Sequence, residues 1–211
     1  MEENNIEENK QGKKKNKKIL KISVMLIIIA VIITLVTVTI SDIIKPSLVL
    51  TSPKYVSISE GKEFTVSVEL TSMPDEEYPA ASISLDFDND RIEFLRVEQG
   101  TLGVGKGDKF EIPTWAFNAQ RSNSIGSVNA MYMDVTTKDK AYIKDNFEEN
   151  KENIVIKYVF KLKSSAREGD KYKFHISDAV FAKVGGSEDK KSLATSEDKL
   201  NTDDCTIEVV K

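Results

Sequence analysis

The chain has 211 residues, with 30 Lys+Arg against 34 Asp+Glu, a formal charge of −4 and 40% hydrophobic residues. Its single cysteine excludes an intrachain disulfide, and its single histidine excludes a His-rich zinc site. Seven lysines and four glutamates precede residue 42, which leaves 23 basic and 30 acidic side chains beyond it; an acidic surface of this kind repels nucleic acid.

The chain starts with a basic tail, residues 1–21, that carries all seven of those lysines. From Ile22 to Ser41 no residue is charged, and most are Ile, Val or Leu. As a helix this run would rise roughly 30 Å, the thickness of a bilayer core. Apolar all round, it has no face to offer water. Lysines gather before it and only Asp42 and Lys45 follow closely, so positive charge stays inside and the remainder lies outside. The alternative is a cleaved signal peptide, but those have apolar cores of about 7–15 residues and a small-x-small cleavage site. Thr39-Ile40-Ser41 matches that site feebly. The expectation is a single-pass cell-membrane protein: cytoplasmic tail 1–21, transmembrane signal anchor 22–41, linker 42–47 and extracellular domain 48–211.

After the anchor the hydrophobic period is two. "FTVSVEL" sets Phe64, Val66, Val68 and Leu70 on one face. "NIVIKYVFKLK" does so with Ile154, Ile156, Tyr158, Phe160 and Leu162, "KYKFHI" with Tyr172, Phe174 and Ile176, and "CTIEV" with Cys205, Ile207 and Val209. Each reads as a half-buried strand. Weaker strands are predicted at 47–51, 55–58, 81–87, 92–98, 114–119 and 127–134. Turn residues separate them, as at Glu60-Gly61-Lys62 and Glu168-Gly169-Asp170. Many short strands at this spacing predict an all-β sandwich. The charged stretch 136–153, with Ile143 and Phe147 four apart, reads either as a short helix on the rim or as a solvated loop.

Little in this domain carries chemistry. Asp86, Asp88 and Asp90 resemble the start of a calcium loop, but Arg91 and Val97 stand where such a loop needs Gly and Glu. An Asx turn at the end of a strand fits better, so no metal and no cofactor are expected; calcium held partly by loop carbonyls is the alternative. "GTLGVGKG", 100–107, lacks the hydroxyl residue and helix of a phosphate loop. Ser187-x-x-Lys190 and Ser196-x-x-Lys199 lack the companion motifs of penicillin-interacting serine enzymes. His175 alternates with core residues and is expected at the surface, and Cys205 is expected to act as a small hydrophobe. No enzyme activity is predicted. Trp115 and Phe117 are spaced to share a strand face; exposed they could stack on a sugar, buried they belong to the core.

Three stretches together resemble the cohesin domains of bacterial cellulosomes. They are "ISEGKEFTVSVEL", "AASISLDFDNDRIEFLRVEQGTL" and "VFKLKSSAREGDKYKFHISDAVFAKVGG". The resemblance spans about 48–210. It implies a nine-stranded jelly-roll-like sandwich and non-catalytic work: holding a dockerin-bearing protein in polysaccharide degradation or cell-surface assembly. In the strand before the aromatic-Asp turn this chain has Ala80, Ala81 and Ser82, where the family usually has Asn or Asp. The predicted partner-binding residues are Ser82, Ser84, Asp86, Asn129, Met131 and Met133, which are polar or adaptable and at outward positions. The alternatives are that Met131 and Met133 turn into the core, that the domain binds polysaccharide directly through Trp115 and Phe117, or that it is a cell-envelope structural protein or adhesin with no dockerin partner.

Overall fold

The computed structural model describes residues 45–58, 63–136, 139–183 and 192–211, together with Met25 and Ile27, Ile28 and Ile29. The chain divides into two compact units, Met1–Ile44 and Lys45–Lys211. The four described residues of the first unit are helical and exposed. Most of the predicted span 22–41 lies outside the described residues. Among the described residues no helix is long and apolar enough to cross a membrane.

The second unit is a sandwich of two sheets. The first has the order β10 (Asn201–Asp203), β1 (Ser47–Thr51), β3 (Glu63–Leu70), β7 (Ile154–Leu162), β5 (Ile92–Gln99). The second has the order β2 (Tyr55–Ser57), β11 (Cys205–Val210), β8 (Lys171–Ala182), β4 (Ala80–Asp86), β6 (Ser127–Met133), with β9 (Leu193–Ala194) beside β8. Alternation in sequence becomes alternation in burial. In β3, Phe64, Val66, Val68 and Leu70 are buried between half-exposed neighbours. β1 and β2 are one run of chain that changes sheet at 52–54, where Pro53 has no amide hydrogen to donate. β10 and β11 are another, changing at Asp204. Counted as continuous runs, the strands described come to nine.

Phe160 lies at the centre of the core, with ring centroids 5.9 Å from Phe64, 5.5 Å from Phe94, 5.2 Å from Phe87 and 5.0 Å from Phe174. The first two rings belong to its own sheet, while Phe87 follows β4 and Phe174 lies on β8 of the other. Burying each such ring contributes about 1.5–3 kcal/mol, so this contact does much to hold the sheets together. Tyr158 also crosses the gap, its hydroxyl donating to the Ile83 carbonyl at 3.2 Å. Burial pushes that phenol well above its ordinary range.

One predicted strand is corrected. The strand at 114–119 is a single bridge, Ala116 with Met131. A helix, α1 (Ala119–Ile125), begins directly after it. The Asn118 side chain accepts from the Arg121 amide at 3.0 Å, and Gly126 closes the helix in the left-handed region at φ 71°. Asn123 fastens α1 to the open edge of β5: its Oδ1 accepts from the Phe94 amide and its Nδ2 donates to the Phe94 carbonyl, both at 2.8 Å. One side chain thus replaces a missing neighbour strand beside the bulge at Phe94–Arg96. Of the two readings of 136–153 the loop is the nearer: its described residues hold a three-residue 3₁₀ turn, Lys144–Asn146, and a bridge of Tyr142 to Tyr78, with Ile143 buried and Phe147 packed on the core.

Candidate functional site

The outer faces of the two sheets differ in kind. On the first, the Arg96 guanidinium lies 2.7 Å from both Glu63 and Glu98, and Lys161 lies 3.1 Å from Glu93. The Arg96 hydrogen bond holds the Glu63 carboxyl below the usual carboxylate range. Such half-exposed pairs add little stability, but they engage Arg96, Glu63, Glu98, Lys161 and Glu93 with one another on a solvated face.

On the second, β4 sits between β6 and β8. Its outward residues pair with β6 as Ala80↔Met133, Ser82↔Met131, Ser84↔Asn129 and Asp86↔Ser127. With β8 they pair as Ala80↔Ala182, Ser82↔Val180, Ser84↔Asp178 and Asp86↔His175. Paired residues point to the same side of a sheet, so all six predicted partner-binding residues share one face. The methionines do not turn inward: Met131 is 47% and Met133 62% exposed.

Hydrogen bonds fix the polar part of this face. Asn129 Nδ2 donates to Ser84 Oγ at 2.9 Å and to Ser82 Oγ at 3.2 Å. Asp86 Oδ1 accepts from Ser127 Oγ at 2.6 Å and Ser177 Oγ at 2.9 Å. Asp178 accepts from Thr195 Oγ1 at 3.1 Å. Among the described residues neither Asp86 nor Asp178 is in an ion pair. His175 is at the surface, as predicted, with Nδ1 2.7 Å from Asp204, and Lys173 lies 2.6 Å from the other oxygen of that carboxylate. Partial burial disfavours the charge on Asp204, yet these two hydrogen bonds outweigh it and hold its carboxyl below the usual range.

The face therefore has two ends. Ala80, Met131, Met133, Val180 and Ala182 form an apolar end, which Ala116 extends across the bridge to Met131. Asp86, Ser127, His175, Ser177 and Asp178 form a polar end. Sequence reasoning missed the β8 contribution because the alternation it read in that strand stops at Ile176. The signal was there: after "KYKFHI" two polar residues stand together, Ser177-Asp178, and alternation then resumes out of phase. That is a β-bulge, opposite the Ser84–Leu85 step.

The other candidates fall elsewhere. Asp88 turns to its own backbone, its Oδ1 accepting from the Asp90 amide at 3.0 Å and its carbonyl from the Ile92 amide at 2.9 Å; this is the Asx turn read from the sequence. Among the described residues no three His, Cys, Asp or Glu side chains are placed to hold a metal. Trp115 and Phe117 both border one small cleft, with Val97, Pro113 and Thr114, but they differ in exposure. Trp115 is 3% exposed, its ring 6.2 Å from that of Tyr132, while Phe117 is 40% exposed with its ring 5.6 Å from Phe94. Lys106, in the glycine-rich loop, faces Glu77 at 3.5 Å, and only a three-residue 3₁₀ turn follows. Two adjoining clefts of about 240 and 380 Å³ at the rim share Glu77, Lys106 and Ile143. Their walls are ion-paired (Lys183 with Glu76, Lys109 with Asp139) and they offer no ring to a sugar. The 187–190 motif lies outside the described residues.

The sequence matches no family model and no curated protein. Solved structures do match. One is the seventh ScaB type I cohesin of Pseudobacteroides cellulosolvens, at 16% identity and a TM-score of 0.52, over 79% of this chain and 92% of that one. A second is the sixth cohesin of Acetivibrio cellulolyticus scaffoldin B, solved in complex with a dockerin, at 16% identity and 0.54. A third is the third ScaC cohesin of the same organism, in complex with the ScaB dockerin, at 20% and 0.55. Each of the latter two is covered over 99% of its length, and each covers 79% of this chain. At such identities the likeness is one of fold, and residues 45–211 form a cohesin-like β-sandwich domain.

Proposed function

We propose that residues 45–211 are a non-catalytic binding module that holds a dockerin-type protein partner on the outer face of the β8–β4–β6 sheet. The segment 22–41 anchors it in the cell membrane with the domain outside, in polysaccharide degradation or cell-surface assembly. One observation carries the docking role. This sheet presents exposed methionines and hydroxyls in a single register, whereas the opposite sheet carries charged pairs across β3, β7 and β5. The likeness to cohesins solved with dockerins supports the choice of partner. Direct sugar binding has less behind it, because the only tryptophan is buried.

The test is a pull-down from the source organism's secreted proteins, with and without calcium, using the full chain and its Met133→Arg variant. The wild type is expected to capture a dockerin-bearing protein in calcium. The variant, with a charge planted in the apolar end, should lose at least tenfold of that capture, the scale of one unpaired charge in an interface. Failure of the wild type to capture any dockerin-bearing protein in calcium would refute the proposal.

A further inference from the structure

The exposed methionines of β6 carry a chemistry that packing does not use. Beyond residue 45 the chain has three methionines, Met73, Met131 and Met133. Met73 is packed in the core and 5% exposed, whereas Met131 and Met133 stand open on the outer face. Strand alternation puts these two on one side, about 7 Å apart along the chain. Their cross-strand neighbours on β4 are short, Ser82 opposite Met131 and Ala80 opposite Met133. The Ser82 hydroxyl is turned to Asn129, which donates to it at 3.2 Å. Farther along the same rows stand Val180 and Ala182 on β8, and across the other edge of β6 Ala116 bridges to Met131. None of these side chains is long enough to roof a methionine, so both thioethers meet solvent.

We propose that Met131 and Met133 form a reversible oxidation site for a peroxide, and that their conversion to sulfoxides releases a partner docked on this face. The first half stands on the geometry of β6 alone; the second rests on the docking reading proposed above. In the reaction the sulfur lone pair attacks one oxygen of hydrogen peroxide and the O–O bond breaks. The departing hydroxide takes the proton from the oxygen now on sulfur and leaves as water. Sulfur is oxidised by two electrons and the peroxide is reduced by two. A thioether adapts to apolar contacts, but a sulfoxide oxygen must keep its water or find a donor. Two such oxygens on one strand turn the apolar end of the face polar. A thiol-dependent sulfoxide reductase reverses the change: the oxygen leaves as water and two thiols become a disulfide.

The test treats the full chain with hydrogen peroxide and follows each methionine by peptide mass. Met131 and Met133 are expected to gain one oxygen each roughly tenfold faster than Met73, with the melting temperature unchanged. Met73 converting as fast as either one overturns the oxidation site. The peroxide is then removed and the chain is used as bait for secreted proteins in calcium. Capture of the dockerin-bearing protein should fall roughly tenfold, the scale of a lost central contact. It should return after treatment with both epimer-specific sulfoxide reductases and dithiothreitol. A Met131→Leu, Met133→Leu variant keeps the apolar surface, Cys205 and Met73, so it should capture equally with and without peroxide. Undiminished capture by the oxidised wild type, or loss of capture in the oxidised variant, overturns the link to docking. If the leucines themselves prevent capture, dithiothreitol without the reductases decides, because it restores an oxidised Cys205 but not a sulfoxide: recovery of the wild type by dithiothreitol alone overturns the link, and recovery only with the reductases upholds it. If the untreated wild type captures no dockerin-bearing protein, the docking reading fails and takes the link with it, while the peptide masses still decide the oxidation site.

Discussion

Asp170 accepts two hydrogen bonds, from the Arg167 amide at 3.0 Å and the Tyr172 hydroxyl at 2.7 Å. The tyrosine first and the amide second hold its carboxyl below the usual range; in return, burial first and this carboxylate second push the Tyr172 phenol up to about 12. A carboxyl with a depressed folded pKa stabilises the fold above its unfolded value, near 3.9. That stability is lost as pH falls through the folded value. Thermal melts from pH 7 to pH 2 should therefore show Asp170→Asn melting below the wild type at neutral pH, with the gap narrowing below about pH 4. A gap constant across that range would contradict this role. The same turn was legible in sequence from Glu168-Gly169-Asp170, and so was the Asx turn at Asp88, because both rest on local hydrogen bonds. The different exposures of Trp115 and Phe117 were not, since they depend on distant rings, Tyr132 beside one and Phe94 beside the other.

Strands with one buried face carried their own signature: the elements at Glu63–Leu70, Ile154–Leu162 and Cys205–Val210 follow the alternation read from the sequence. α1 had none. It buries a single residue, Ser122, so it has no apolar stripe, and its position rests on caps and on Asn123. Its C-terminal glycine is the sensitive point. Gly126 has φ 71°, and a Cβ there would lie 2.9 Å from the Phe87 carbonyl oxygen. That carbonyl belongs to the residue whose amide donates to the Gly126 carbonyl at 2.9 Å, so helix end and strand end are packed as one turn. Gly126→Ala should destabilise the domain by about 1–2 kcal/mol or more. In a domain of this size that reads as a fall of roughly 2–8 °C in melting temperature. An unchanged Tm would mean the turn relaxes freely.

At the scale of the molecule, the unit Lys45–Lys211 holds its core within itself. Residues 45–211 alone are expected to melt in one cooperative transition without detergent. The full chain should sediment with membranes, and the truncated form should stay in the supernatant. If both partition alike, residues 22–41 are not an anchor.

Period two and turn chemistry, which are local, determined the all-β class, most strand positions and the Asp88 turn. The order and spacing of three moderately specific stretches pointed to the cohesin-like fold. Only the tertiary structure decided which sheet face is open. Ion pairs span β3, β7 and β5 on one face, and the register of β4 with β6 and β8 assembles the other from residues up to about one hundred positions apart. Register is a long-range property, and in β8 it turns on one bulge at Ser177–Asp178. That bulge brings Asp178 and Val180 onto the face with Asp86 and Met131, and so sets a charged end against an apolar one.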